Sequence, residues 1–120
     1  MIEVVLPWPP KHLSPNARVH WTKRSKAAKV YRTECGWHVR AAGPKPKFAP
    51  SGPITLDIEF IEPDMRYRRD LDNMLASIKA GIDGIADALG VNDRRFVFRI
   101  RRSDLIGGMV RVHITEESAE

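Results

Sequence analysis

Between Asp72 and Leu89 the residues Met74, Leu75, Ile78, Ile82, Ile85 and Leu89 fall on one face of a 3.6-residue repeat. A helix with one apolar face is stabilised mainly by burying it, so the chain must offer an apolar surface elsewhere. Four stretches with a two-residue period provide that surface. Ile2, Val4 and Leu6 alternate ahead of "PWPP", whose prolines lack ladder donors and end the strand. Ile54, Leu56, Ile58 and Phe60 alternate with Thr55, Asp57 and Glu59 and stop near Pro63. Phe96, Phe98 and Ile100 oppose Arg99 and Arg101. After a turn near Gly107 and Gly108, Val110, Val112 and Ile114 oppose Arg111 and His113, and the last two strands are predicted to form a hairpin.

A second helical pattern runs from Thr22, a suitable N-cap, to Ala42, with Gly43 and Pro44 as stop signals. Its stripe is Ala27, Tyr31, Cys35, His38 and Ala42, flanked by Ala28 and Val39, while Lys26, Lys29 and Arg40 project elsewhere. The order βαβαββ predicts an α+β fold, a four-stranded mixed sheet with two helices packed on one face. The 120 residues suffice for a single domain, 1–120, with one core. No apolar run approaches the eighteen or so residues of a membrane span. The start, with Glu3 and no basic segment ahead of a long apolar run, is unlike a secretory signal, so the expected location is cytoplasmic. Cys35 is the single cysteine and lacks any CxxC or metal spacing, which predicts a buried small hydrophobe.

Charge is divided unevenly. The net charge is +5, yet residues 1–50 carry ten Lys/Arg against two acids while residues 51–120 carry ten against thirteen. A polycationic region suits a phosphate-rich partner through counterion release. Two connections hold much of it: residues 7–21, with Trp8, Trp21, His12 and His20, and residues 43–53, with Lys45 and Lys47 beside Phe48. The tryptophans either pack on the core beside solvated histidines or touch DNA. Lys11, Arg18, Lys23, Arg24, Lys45, Lys47, Arg66, Arg68 and Arg69 are the candidate DNA-gripping residues.

Into this basic chain "RRDLDN" sets Asp70 and Asp72, and Asp93 follows the helix. Two positions apart, Asp70 and Asp72 share a side only where the backbone is extended, so a common cation requires the helix to begin at about Asp72. Asp93 returns to that end if the third strand lies beside the second. Capping of the helix is the plain structural alternative. Carboxylates about 4 Å apart repel by up to ~4 kcal/mol at an effective dielectric of about 20, a cost that a hard divalent cation removes. An EF-hand pattern is absent, and Mg²⁺ with retained waters suits the pair better than a Ca²⁺ cage. Lys79 and Asp83 share the helical face of Asp72. Lys79 is thus either a phosphate-facing cation or the ion-pair partner of Asp83.

Taken in order, "LPWPP", the strand leading to "EPDMRYRRDLDN", the amphipathic helix, the following aspartate and the terminal "VHITE" strand resemble the RusA-type Holliday junction resolvases, the crossover junction endodeoxyribonucleases. The resemblance implies Mg²⁺-dependent paired nicking of four-way junction DNA by a homodimer. Asp70, Asp72 and Asp93 would be its metal-binding catalytic acids, and basic loops would grip the junction. The family pattern places a lysine four residues after the second aspartate. Here that position is Ala76, and Lys79 is the nearest lysine, one turn further on. The residues alone also admit a non-enzymatic basic nucleic-acid-binding module, or a metal nuclease acting on another branched nucleic acid.

Overall fold

Every strand expected from two-residue alternation forms, but their neighbours differ from simple sequence order. The computed structural model describes residues 2–65 and 69–116. Strands β1 (Ile2–Pro7), β2 (Ile54–Ile61), β3 (Phe96–Arg102) and β4 (Met109–Glu116) build one mixed sheet in the order β1-β4-β2-β3. Helices α1 (Trp21–Ala41), α2 (Leu71–Ser77) and α3 (Lys79–Leu89) complete an α+β fold, with short 3₁₀ turns at Lys11–Leu13 and Asp93–Arg95.

The predicted β3–β4 hairpin does not form. β3 pairs with β2 in parallel, Ile54 opposite Phe96, and β4 lies antiparallel between β1 and β2. Two causes combine. The helical segment between β2 and β3 carries the chain back along the sheet, so the next strand re-enters parallel. Burial then decides position: Val110, Val112 and Ile114 are fully buried, which suits a central strand, whereas Phe98 remains 41% exposed, as an edge permits. The face away from the helices is polar. Arg111 spans Glu3 (3.4 Å) and Glu59 (3.0 Å), and Arg101 reaches Glu59 (3.5 Å).

The single helix expected from Asp72 onward is divided at Ile78, where φ is −100° and ψ 9°. The hydroxyl of Ser77 donates to the Asn73 carbonyl at 2.8 Å, a back-bond that bends helices. The core face survives, because Met74, Ile78, Ile82, Ile85 and Leu89 are all buried.

The N-cap of α1 lies two residues earlier than predicted. His20, not Thr22, is its N-cap, with Nδ1 accepting the Thr22 N–H at 3.2 Å. Its buried residues are Tyr31, Cys35, Gly36 and Val39, while His38 is exposed rather than on the apolar margin. The reason is a glycine seam with α3. A Cβ on Gly84 would lie 2.1 Å from the Arg32 carbonyl oxygen, and one on Gly81 2.7 Å from the Tyr31 ring. Such close approach turns Gly36 inward and His38 outward. Cys35 is buried as expected, and burial pushes its thiol up to about 12, so it stays protonated at neutral pH.

Candidate functional site

The chain leaves β2 and meets α2 at the carboxyl end of the parallel pair, and a buried acid organises this corner. Glu62 is 6% exposed and binds two arginines, Arg102 at 2.7 Å and Arg69 at 3.0 Å. Burial, the largest single influence, pulls its pKa up. Hydrogen bonds from Arg102 and Arg69, with their charges, outweigh that and hold the carboxyl below the usual range. Arg102 also donates to the Arg69 carbonyl, and Arg69 lies 3.8 Å from Asp64. The Arg69 guanidinium sits 5.6 Å from the centroid of the Trp8 ring, which meets Phe60 edge to face at 6.3 Å. The backbone that presents Asp70 is therefore clamped from several sides.

This clamp makes a prediction about stability. Glu62→Gln removes the anion that two partly buried guanidinium groups share and should cost about 2 kcal/mol, below the value for fully buried pairs because both arginines keep some solvent and Arg69 keeps Asp64. Since the folded pKa is depressed, this stabilisation is present above the unfolded value of about 4.3 and is lost as pH falls through the folded one. Urea midpoints measured for both proteins from pH 7 to pH 3 should converge at the acid end.

Asp70 occupies the N-cap position of α2 with extended backbone (φ −71°, ψ 139°), yet its side chain makes no capping hydrogen bond. The plain capping role is thus not what its carboxylate does. Asp72 is exposed in the first turn. Asp70 borders a cavity of about 520 Å³ walled by Trp8, Pro10, Lys11, Arg69 and Asn73. Exposed hard oxygens on an extended-to-helical junction suit Mg²⁺, which commonly takes one or two carboxylates and keeps waters.

Asp93 lies elsewhere. It precedes β3 at the amino end of the parallel pair, whereas Asp70 follows the carboxyl end of β2. The length of β3, about 20 Å at roughly 3.3 Å per residue, separates those ends. β3 does lie beside β2, as the return of Asp93 required, but parallel pairing sends Asp93 to the far end. Lys79 answers it there, with Nζ 3.3 Å from Asp93 and 2.6 Å from Asp83. The hydrogen bond that Lys79 donates to Asp83, then the charge of Asp83 and the hydrogen bond to and charge of Asp93, raise the lysine pKa against the opposing effect of burial. Among the described residues no three His, Cys, Asp or Glu side chains gather closely enough to hold a metal.

The predicted basic residues divide by role. Lys11 borders the Asp70 cavity, Lys23 lines a second one beside it, and Arg18 and Lys47 are exposed. Arg24 donates to the carbonyls of Ser14 (3.3 Å) and Ala17 (2.9 Å), so it secures the loop before α1. Lys45 lies against the left-handed Gly90 that ends α3, where a cation offsets the helix dipole. Arg66 and Arg68 lie outside the described residues. Of the loop tryptophans, Trp8 packs partly on the core and Trp21 is 72% exposed. Sequence reading missed Glu62 and Arg102, because their partnership depends on β3 lying beside β2.

No protein-family model matches the chain. It is similar to an uncharacterized protein of Xylella fastidiosa (strain Temecula1 / ATCC 700964). The two are 53% identical over 98 residues, 81% of this chain and 63% of that protein, so the chain spans less than two thirds of its relative's length. Among the described residues no helix is long and apolar enough to cross a membrane.

Proposed function

We propose that this chain is a Mg²⁺-dependent endonuclease that resolves four-way DNA junctions as a homodimer, in the manner of the RusA-type resolvases it resembles. The observation that carries the reading is Asp70: a clamped N-cap carboxylate that caps nothing, beside Asp72, on a cavity rimmed by Lys11 and Arg69. Bound Mg²⁺ would supply Lewis-acid activation of water and of the scissile phosphodiester. Asp70 and Asp72 are the residues that would hold it from this chain. With Asp93 at the amino end of the parallel pair, a three-aspartate set would draw Asp93 from a second copy, which a two-fold dimer provides twice. Two sites match the two nicks that resolution requires. Lys11 and Arg69 orient the phosphate backbone rather than read bases.

Incubation with a synthetic four-way junction, with and without Mg²⁺, tests the reading. Paired nicks only with the metal support it. Metal-independent binding without cutting favours the non-enzymatic module, and equal cutting of flaps or branched RNA favours the other nuclease.

Lys79 lies beside Asp93 and would enter the composite site with it from the second copy, and its substitution tests the cation. Lys79→Ala should slow single-turnover cleavage by at least ~100-fold, the scale of losing one transition-state electrostatic contact. Stability should change little, since the side chain is 60% exposed. Cleavage at the parental rate would leave Lys79 as a surface partner of Asp83 and Asp93.

A further inference from the structure

A second cavity, of about 480 Å³, lies between α1 and the segment after β1. Its size is within the range of small-molecule sites, roughly 300–1,000 Å³. Trp8 and Pro10 line both this cavity and the Asp70 cavity, so the two share a boundary that includes the indole. Arg69, stacked over the ring, belongs to the Asp70 side alone. Pro7, Pro10, Val30 and Tyr31 add apolar wall and His12 a polar ring, and the Tyr31 hydroxyl donates to the Pro7 carbonyl at 2.8 Å, tying loop to helix. Along α1 the lining changes from cationic Lys23 and Lys26, through Ala27 and Val30, to acidic Glu34.

We infer that this cavity receives one unstacked nucleobase of the strand whose backbone passes Asp70, with Trp8 as its stacking partner and Lys23 and Lys26 on the adjoining phosphates. The inference rests on the nucleic-acid reading above and adds to it a nucleotide site. A base has an apolar face, a polar edge and a phosphate to one side, and the cavity offers an aromatic and proline wall, then cations at one end only. Glu34 repels phosphate from the other end, which sets the direction of the strand. The tie between Tyr31 and Pro7 means that the wall is formed before a base enters. Stacking on one aromatic side chain is tolerant of sequence and increases affinity by roughly tenfold or more. Extrusion of a base costs least where the strand is already unpaired or strained, as at a branch point.

The test uses the full chain and two five-nucleotide probes, deoxyadenylate and its abasic counterpart with the same phosphates, followed by fluorescence anisotropy. The intact oligomer should bind at least about tenfold more tightly than the abasic one. Val30→Gln, at a position already 58% exposed, replaces part of the apolar wall by a longer neutral polar side chain that adds neither charge nor an aromatic face. It should reduce that ratio to near one while leaving abasic binding unchanged. Equal binding of the two probes by the parent protein would overturn the base site and leave the nucleic-acid reading standing. A ratio that survives Val30→Gln would place the base elsewhere and also overturn it. If neither oligomer binds, both readings fail. Val30-sensitive binding of free adenosine monophosphate as tight as that of the oligomer would show a mononucleotide site, overturning the link to a strand at Asp70.

Discussion

Asp70→Asn and Asp93→Asn are each expected to cut four-way junctions at least ~100-fold more slowly than the parent, a loss of ~3 kcal/mol or more of transition-state stabilisation. Junction binding should persist or tighten, because each change removes negative charge near DNA. The two proteins mixed should recover nicking of one strand. In the mixed dimer one site carries both changes, while the other combines intact Asp70 and Asp72 of one chain with the intact Asp93 of its partner. Single-turnover assays on a junction labelled in each strand separate one nick from two. A mixture that forms dimers yet stays inactive would overturn the composite site. Loss of binding in step with cutting would count against the metal role, and sedimentation showing only monomer would remove the dimer.

Gly84→Ala should be the most damaging single-methyl change in the fold. The added Cβ would lie 2.1 Å from the Arg32 carbonyl oxygen, and that atom belongs to the α1 backbone, so the helices must separate rather than a side chain turn aside. Overpacking costs typically 1–3 kcal/mol, and this contact lies at or beyond the upper end. About 1 kcal/mol is regained because alanine favours helix more than glycine does. The net expectation is about 2–3 kcal/mol, or a melting temperature lower by roughly 10 °C. Gly36→Ala serves as the control. Its Cβ would lie 3.3 Å from the Gly84 carbonyl, a crowding that a shift of a few tenths of an ångström relieves, so it should cost well under half as much. Equal melting temperatures for the two variants would show that the seam yields.

Both predictions depend on a distinction between patterns and partners. Period and punctuation along the chain determined the elements. Alternation at 54–60 and 110–114 specified half-buried strands, the spacing from Met74 to Leu89 specified a helix with one core face, and Cys35 was legible as a small buried hydrophobe. These properties are local, because they follow from the directions successive side chains take along a backbone. The charge pattern likewise marked "RRDLDN" as an unusual concentration of acid beside base.

Which elements meet was decided only by the tertiary structure. Whether Phe96–Arg102 would pair with β4 or with β2 depended on the return of the α2–α3 segment and on the competition of apolar strands for the centre of the sheet. That choice brought Arg102 to Glu62 and sent Asp93 to the opposite end from Asp70. Nor does spacing reveal that Ser77 bends the helix, or that glycines 36, 81 and 84 let α1 and α3 approach closely enough to turn His38 outward. Residue types specify what chemistry is present, but distances between segments far apart in sequence arise from packing the whole chain at once, and the candidate site depends on those distances.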